Sequence, residues 1–370
     1  MTLDSGDSDE ILRTSAGKFL LAAGYAVVLR QATTGKGGEA RRLRVYEAQS
    51  GCYACGMAER PPANGSGGRR ASIAAPHGPV DIQADVITSR ENRWLKMFRA
   101  ALRGTGPASG ELIGIEGPKL IEEAVRSGLV AEALLVSDAG ERELERILKA
   151  ASQTEAGIPR SRILRTSEKL FATVAGTETP QPVAALFRPR EWTFDDLLRG
   201  RATREGAFRG DAALVVVMAA VQDPGNVGTI VRSAEAFGAT GAVATRGTAD
   251  PWSPKALRAS AGSALRLPLL RGLAIPVLLA QLRIAQVKVL AASSAVGSAG
   301  TKVDWRERLA IFIGNEGTGL PAEVTRAADA TLAIPIREEI ESLNAGVAAS
   351  LLLYEAAKQR KANPTTVEHR

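Results

Sequence analysis

The chain reads as an α/β protein in which a small α/β domain precedes a larger one built on a mostly parallel sheet. Three observations point there. Residues 212–221 form an unbroken apolar run, Ala212-Ala213-Leu214-Val215-Val216-Val217-Met218-Ala219-Ala220-Val221, as a strand covered on both faces requires. Twice more, at 311–320 and 331–344, a short apolar stretch runs into a polar loop, glycine-rich in the first case. This is the pattern of a buried parallel strand delivering a loop to the sheet edge. Between residues 112 and 187, strand-like and helix-like stretches alternate β-α-β-α.

Taken in order, residues 1–84 show little periodicity. Residues 19–29 are apolar enough for one short element; Gly, Ala, Arg and Pro dominate after Thr33, and 61–79 reads as linker or disorder. The whole segment is expected to be a largely disordered extension. Cys52-Tyr53-Ala54-Cys55 is a lone C-x-x-C; a zinc site needs four ligands, so two reduced thiols are the better reading. Order is expected from Asp85, in a domain covering 85–190. Over residues 90–103 the cations Arg90, Arg93, Lys96, Arg99 and Arg103 share one broad side of a predicted helix, opposite Trp94, Leu95, Phe98 and Leu102. That face is either simply solvated or a phosphate-tracking surface; five cations against the one acid Glu91 argue for the second. A strand at 112–116 then enters the turn Gly117-Pro118-Lys119, where Lys119 adds another cation to the RNA-binding candidates. Helices at 120–127 and 141–151 alternate with strands at 133–136 and 161–164, and the loop 175–182 leads into a strand at 183–187. Residues 191–211, of mixed charge and no clear period, read as a linker.

The second domain is expected over 212–358. After the apolar run, Gln222-Asp223-Pro224-Gly225-Asn226 opens a helix through Ile230, Ala234 and Phe237 that Gly238 can cap. Strands at 241–245, 287–292, 310–314 and 331–334 follow, then a closing helix at 343–359 and a polar tail, 359–370.

Composition narrows the chemistry. Apolar residues at 45% and charged ones at 24% are those of a soluble globular protein, and no run reaches the length of a membrane span. Four acids in the first ten residues do not resemble a signal peptide, so a cytoplasmic address is expected. A net charge of +7 is compatible with a polyanionic partner without requiring one. The two histidines, His77 and His369, and the two cysteines all lie in tail-like segments. A core active site must therefore work with Asn, Ser, Arg, Lys, Asp or Glu, and no metal is expected.

Taken singly, the loops are ambiguous. Gly314-x-x-Gly317-x-Gly319 is neither a Walker loop nor a dinucleotide turn. Asn226 alone would be a turn residue. Arg232 lies on an otherwise apolar helix, where burial would demand an acidic or phosphate partner. Together, Asp223-Pro224-x-Asn226-Val227-Gly228-x-Ile230-x-Arg232-Ser233-Ala234, Gly314-x-Glu316-Gly317-x-Gly319-Leu320, Ile334-Pro335-Ile336 and Ser342-Leu343-Asn344 resemble the ordered motifs of the SpoU/TrmH group. These are S-adenosylmethionine-dependent RNA 2′-O-ribose methyltransferases of the SPOUT superfamily. The segment from Asp250 to Gly262 also looks like that group's, and the preceding domain resembles its substrate-binding domain, itself similar to a ribosomal-protein fold.

The resemblance implies a trefoil-knotted C-terminal domain, a homodimer with its active site at or near the subunit interface, and S-adenosylmethionine held by Gly314, Ile334 and Leu343, largely through backbone. It places Asn226, Arg232, Glu316, Ser342 and Asn344 at the active-site polar positions, with Arg232 assisting deprotonation of the ribose hydroxyl. Two departures stand out: Ala345-Gly346 follows Asn344 where relatives often have a β-branched and a small polar residue, and Pro182 stands where glycine is frequent. The expected substrate is ribosomal RNA, of the large subunit, because a separate RNA-binding domain accompanies that branch. A transfer-RNA methyltransferase is the nearest alternative, and an idle RNA-binding or ribosome-assembly factor is the alternative of another class.

Overall fold

A computed structural model of the chain describes residues 10–14, 17–22, 25–29, 85–104, 112–154, 158, 162–177, 179–199, 212–293, 303–337 and 339–361. Cys52, Cys55, His77 and His369 lie outside them, as does the stretch read as linker or disorder. The chain divides into two compact units, residues 1–77 and 78–370. In the first, β1 (Glu10–Thr14), β2 (Gly17–Ala22) and β3 (Tyr25–Leu29) pair as an antiparallel meander, so residues 19–29 fall on two strands rather than one element.

The second unit holds two sheets. The first comprises β4 (Asp85–Ile87), β5 (Ile113–Glu116), β6 (Ala131–Ser137), β7 (Ile163–Thr166) and β8 (Val183–Phe187), in the order β4-β7-β6-β8-β5. It is mixed: β4, β7 and β6 run parallel, while β8 lies antiparallel to both β6 and β5. Helices α1 (Arg93–Arg103) and α4 (Glu168–Phe171) cover one face, and α2 (Pro118–Arg126) and α3 (Glu141–Ser152) the other. The local sequence sets the ends of α1. The Asn92 side chain accepts from the Trp94 N–H at 2.8 Å, and Gly104 takes the left-handed conformation (φ 65°) that closes the last turn.

The residues predicted to link the two layers begin with a helix, α5 (Phe194–Arg199), whose Leu197 is fully buried against the second sheet. One apolar anchor in a mixed-charge stretch leaves no period to read, so only tertiary packing reveals it.

The second sheet comprises β9 (Leu214–Met218), β10 (Gly241–Thr245), β11 (Leu269–Leu273), β12 (Lys288–Ser293), β13 (Leu309–Ile313) and β14 (Ala330–Ala333), in the order β11-β10-β9-β13-β12-β14. Every pairing within it is parallel. The edge strand β11 is not anticipated by the sequence, since Arg271 and Gly272 interrupt its apolar pattern. In β9, Leu214, Val216 and Met218 face one apolar cluster and Val215 and Val217 face another, so period-two alternation buries both sides. Helices α6 (Pro224–Ala236), α7 (Pro254–Ser260) and α10 (Ala345–Lys361) pack on the first of these faces; α8 (Ile275–Ile284) and α9 (Ala322–Ala327) join α5 on the other. The first cluster continues without a break into the α2–α3 side of the first sheet, so the two layers share a core.

Two glycines carry close approaches. A Cβ on Gly228 of α6 would sit 2.4 Å from the Ala256 carbonyl oxygen of α7. Gly346 is buried, with space for a Cβ only 3.1 Å from Thr229 of α6. The departure noted at Gly346 thus lies where α10 packs against α6. Among the described residues no helix is long and apolar enough to cross a membrane, and no group of three or more His, Cys, Asp or Glu could hold a metal ion.

Candidate active site

The C-terminal ends of β9 and β13 lie side by side, in register from Leu214–Leu309 to Met218–Ile313, and their loops meet. After β9 the chain turns at Ala220, which holds φ 60°, a conformation that costs a residue with a side chain and persists only where surroundings enforce it. Asn315 supplies that enforcement by donating its Nδ2 to the Ala220 carbonyl at 2.9 Å. Its Oδ1 accepts from the N–H groups of Gly317 (2.9 Å) and Thr318 (3.0 Å), and paired Asn315–Gly319 backbone bonds close the loop. A Cβ on Gly314 would lie 2.4 Å from the Gly319 carbonyl carbon, so this loop can close only over glycine. Gly314→Ala is therefore expected to force the 315–319 loop outward and to weaken S-adenosylmethionine binding by at least about tenfold, a loss of about 1.4 kcal/mol, measurable by calorimetry.

Asp223 caps α6 through the Gly225 N–H at 3.2 Å, with Pro224 in the first turn. This presents Asn226, 9% exposed, to the loop from β13. Its Nδ2 donates to Glu316 Oε1 at 2.8 Å, and its Oδ1 accepts from Asn344 Nδ2 at 2.9 Å. Asn344 in turn caps α10, its Oδ1 accepting from the Gly346 N–H at 2.9 Å. The helix thus starts at Ala345, two residues later than expected, with Asn344 as its cap. One unbroken chain of side chains, Asn344 to Asn226 to Glu316, joins three of the four motif stretches, and each amide orientation is dictated at both ends. Burial pushes the Glu316 carboxyl up, but hydrogen bonds from Asn226 and from the backbone of Glu316, Gln222 and Asp223 outweigh it. The group lies below the usual carboxylate range and stays ionised near neutral pH.

Beside this chain lies an open cleft that continues into solvent. Gly314, Glu316, Ile334, Ser342 and Leu343 all line it, with Leu320, Leu332 and Leu352 adding apolar wall. A slot with apolar sides, exposed loop backbone and an ionised carboxylate at its lip fits S-adenosylmethionine, which has a flat base, a ribose and a sulfonium.

Arg232 does not join this cluster. It is exposed and its side chain makes no hydrogen bond or ion pair among the described residues, so the condition of burial, which would demand an acidic or phosphate partner, is not met. The reason is geometric: α6 is covered on the side carrying Val227, Ile230, Val231 and Ala234, while Thr229, Arg232 and Ala236 form an open row. Six residues past Asn226, Arg232 is about 9 Å further along the axis and on another face. The tentative RNA contacts are also dispersed. Arg90, Arg93 and Lys96 are exposed on or beside α1, but Lys96 pairs with Glu91 (2.7 Å), Arg93 stacks on Trp94 (5.3 Å) and Arg99 reaches the Thr173 carbonyl (3.4 Å). Lys119 is exposed on α2. Sequence reasoning passed over Asn315 as a functional residue, although an Asn two residues before glycine in a loop is the signal for an Asx turn.

Comparison with known proteins agrees with this geometry. Residues 213–354 match the SpoU rRNA Methylase family and residues 109–185 an MRM3-like substrate binding domain. The chain is 34% identical over 240 residues to the 23S rRNA (guanosine(2553)-2′-O)-methyltransferase RlmP of Bacillus subtilis, covering 65% of this chain and 86% of that protein. An uncharacterized tRNA/rRNA methyltransferase of Synechocystis is 31% identical, over 78% of this chain and 98% of its own length. Among solved structures, an AdoMet-bound rRNA methyltransferase from Sinorhizobium meliloti aligns with a TM-score of 0.60 at 27% identity, covering 75% of this chain and 98% of that one. The SpoU methyltransferase AviRb of Streptomyces viridochromogenes, in complex with AdoMet, aligns at 0.61 and 25% identity, covering 73% and 98%. Fold and site together define an S-adenosylmethionine-dependent RNA methyltransferase. The chain belongs to the SpoU rRNA methylase family.

Proposed function

We propose that this enzyme methylates a ribose 2′-hydroxyl of large-subunit ribosomal RNA. The observation that carries the reading is the Asn344–Asn226–Glu316 chain at the lip of the cofactor cleft, supported by the 23S rRNA 2′-O specificity for which the Bacillus relative is named. Bound S-adenosylmethionine supplies a methyl group on a sulfonium, so the protein's task is to orient a hydroxyl and to manage its proton. Gly314, Ile334 and Leu343 hold the cofactor through backbone and apolar contact. Asn226, Glu316, Ser342 and Asn344 fix the loops and the ribose, and such positioning can supply about 7–11 kcal/mol of the barrier. Arg232 holds the 2′-oxygen and assists its deprotonation with the substrate's phosphate, since a guanidinium does not act as a base unaided. Residues 85–190 serve as the RNA-binding domain, with Arg90, Arg93, Lys96, Arg99 and Lys119 as its candidate contacts, and the protein works in the cytoplasm. Incubation with labelled S-adenosylmethionine and each RNA class, followed by ribose mapping, tests the reading; label confined to transfer RNA, or to bases, would reject it.

The functional unit is proposed to be a homodimer. On α10, Val347, Leu351 and Tyr354 are 47%, 44% and 54% exposed and follow at helical spacing. Ser350, in the same stretch, meets Ser233, the neighbour of Arg232, at 2.7 Å. A second copy packed on this face would cover the apolar stripe and bring the open row of α6 toward a subunit boundary. Leu351→Asp is expected to convert the dimer to a monomer in light scattering; a monomeric wild type would discard the interface. The trefoil threading remains part of the proposal, supported by α10 returning from the β14 edge to pack on α6 beneath the sheet's centre.

A further inference from the structure

Where the first sheet's helices meet α6 and α7, the carboxylates are already spoken for. Glu116 accepts from the N–H groups of Gly176 and Gln181, each at 3.0 Å, and from the Thr177 hydroxyl. Glu122 is held by Arg126 and Arg146, at 3.2 and 2.8 Å. Glu123 and Glu235 close on Arg266 at 2.7 Å each, Asp250 pairs with Arg271 at 3.4 Å, and Asp223 pairs with Lys255. Two cations of the same region have no such partner. Lys119 and Arg258 are both exposed, and neither side chain makes a hydrogen bond or ion pair among the described residues. Arg258 lines a groove at the junction together with Glu116, Leu120 and Pro254, and Lys119 sits in the chain between Glu116 and Leu120. One turn before Arg258 on α7, Lys255 reaches Asp223, the cap of α6, and Asn226 follows three residues on. The positive charge left over at the junction therefore lies on Lys119 in the first sheet's layer and on Arg258, one turn of α7 from the residue that reaches the cap of α6.

We propose that Lys119 and Arg258 hold the phosphates of a single-stranded RNA segment crossing this junction, so that its next ribose arrives at Asn226. The inference rests on the RNA reading above and adds the path. It differs from a path along α1, where Lys96, Arg93 and Arg99 already have intramolecular contacts. A polyanion satisfies such unpaired cations through release of condensed counterions, an effect that appears directly in the salt dependence of binding.

The test uses the full chain and a labelled single-stranded RNA of mixed sequence, with affinity measured by anisotropy over a range of KCl. Each of Lys119→Gln and Arg258→Gln is expected to reduce the slope of log affinity against log salt by about 0.7, and to weaken binding about fivefold near 0.1 M salt. The double variant should show both losses added. Arg283→Gln, an exposed cation on the opposite face of the second sheet, should leave affinity and slope unchanged. Unchanged S-adenosylmethionine affinity and melting temperature would show that the variants fold. Wild-type slope and affinity in both single variants, with RNA still bound, would overturn the path alone. A wild-type chain that binds and methylates no RNA would instead remove the reading beneath it.

Discussion

Replacing Arg232 by alanine is expected to lower methyl transfer to RNA by about 100-fold or more, the scale of positioned proton-transfer assistance. S-adenosylmethionine affinity should stay within about twofold, because Arg232 lies outside the cleft, a change of about 0.4 kcal/mol at most. Folding should be nearly unaffected as well. The side chain is exposed and makes no contact that its removal would orphan, and such substitutions stay within about 0.5 kcal/mol. Single-turnover assays with saturating cofactor, alongside calorimetric binding, separate the two quantities. Turnover equal to wild type would take Arg232 out of the reaction. Arg232→Lys sharpens the test: a point charge in place of the planar fork should restore only part of the rate if the guanidinium holds both the ribose oxygen and a phosphate.

Arg360→Met should produce the largest loss of stability. At the end of α10 the Arg360 guanidinium donates to the carbonyls of Trp305 (2.7 Å), Glu307 (2.8 Å), Ala213 (3.3 Å) and Ala212. One side chain thus ties the last helix to the entry of β9 and to the turn that leads into β13. Methionine keeps the apolar stem and removes every donor. The Ala213 oxygen retains the Leu309 N–H at 2.8 Å, while the others lose a charged partner. The expected cost is about 3 kcal/mol, from charge-assisted bonds worth about 1.5–3 kcal/mol each in partly buried surroundings. A urea midpoint unchanged in the variant would show that water replaces the guanidinium without penalty.

How much of this was readable beforehand differs by element. The strand at 183–187 is bounded as its apolar run predicts, because Arg188 and Pro189 end it chemically. The start of α6 is written into Asp223-Pro224, a cap followed by a residue whose fixed φ suits the first turn. The helix α5 and the strand β11 escaped, since a single buried Leu197 or a strand broken by Arg271-Gly272 leaves no periodicity. The site divides the same way. The family resemblance implies Asn226, Glu316 and Asn344, but nothing local says that one amide donates to the carboxylate while accepting from the other amide. The apolar neighbours of Arg232 along the helix do not by themselves say whether it is buried; they occupy the covered sides only, and Arg232 stays exposed.

By itself the sequence determined many of the elements, the α/β character of the two layers and the residue types available to the chemistry, because helix and strand periods, caps and glycine loops are short-range properties. The tertiary structure alone decided the strand order β11-β10-β9-β13-β12-β14, the meeting of the loops after β9 and β13 with the start of α10, and which cations remain unpaired. Those depend on contacts between residues about a hundred positions apart, such as Asn226 with Glu316 and with Asn344, and such contacts exist only once the sheet has assembled.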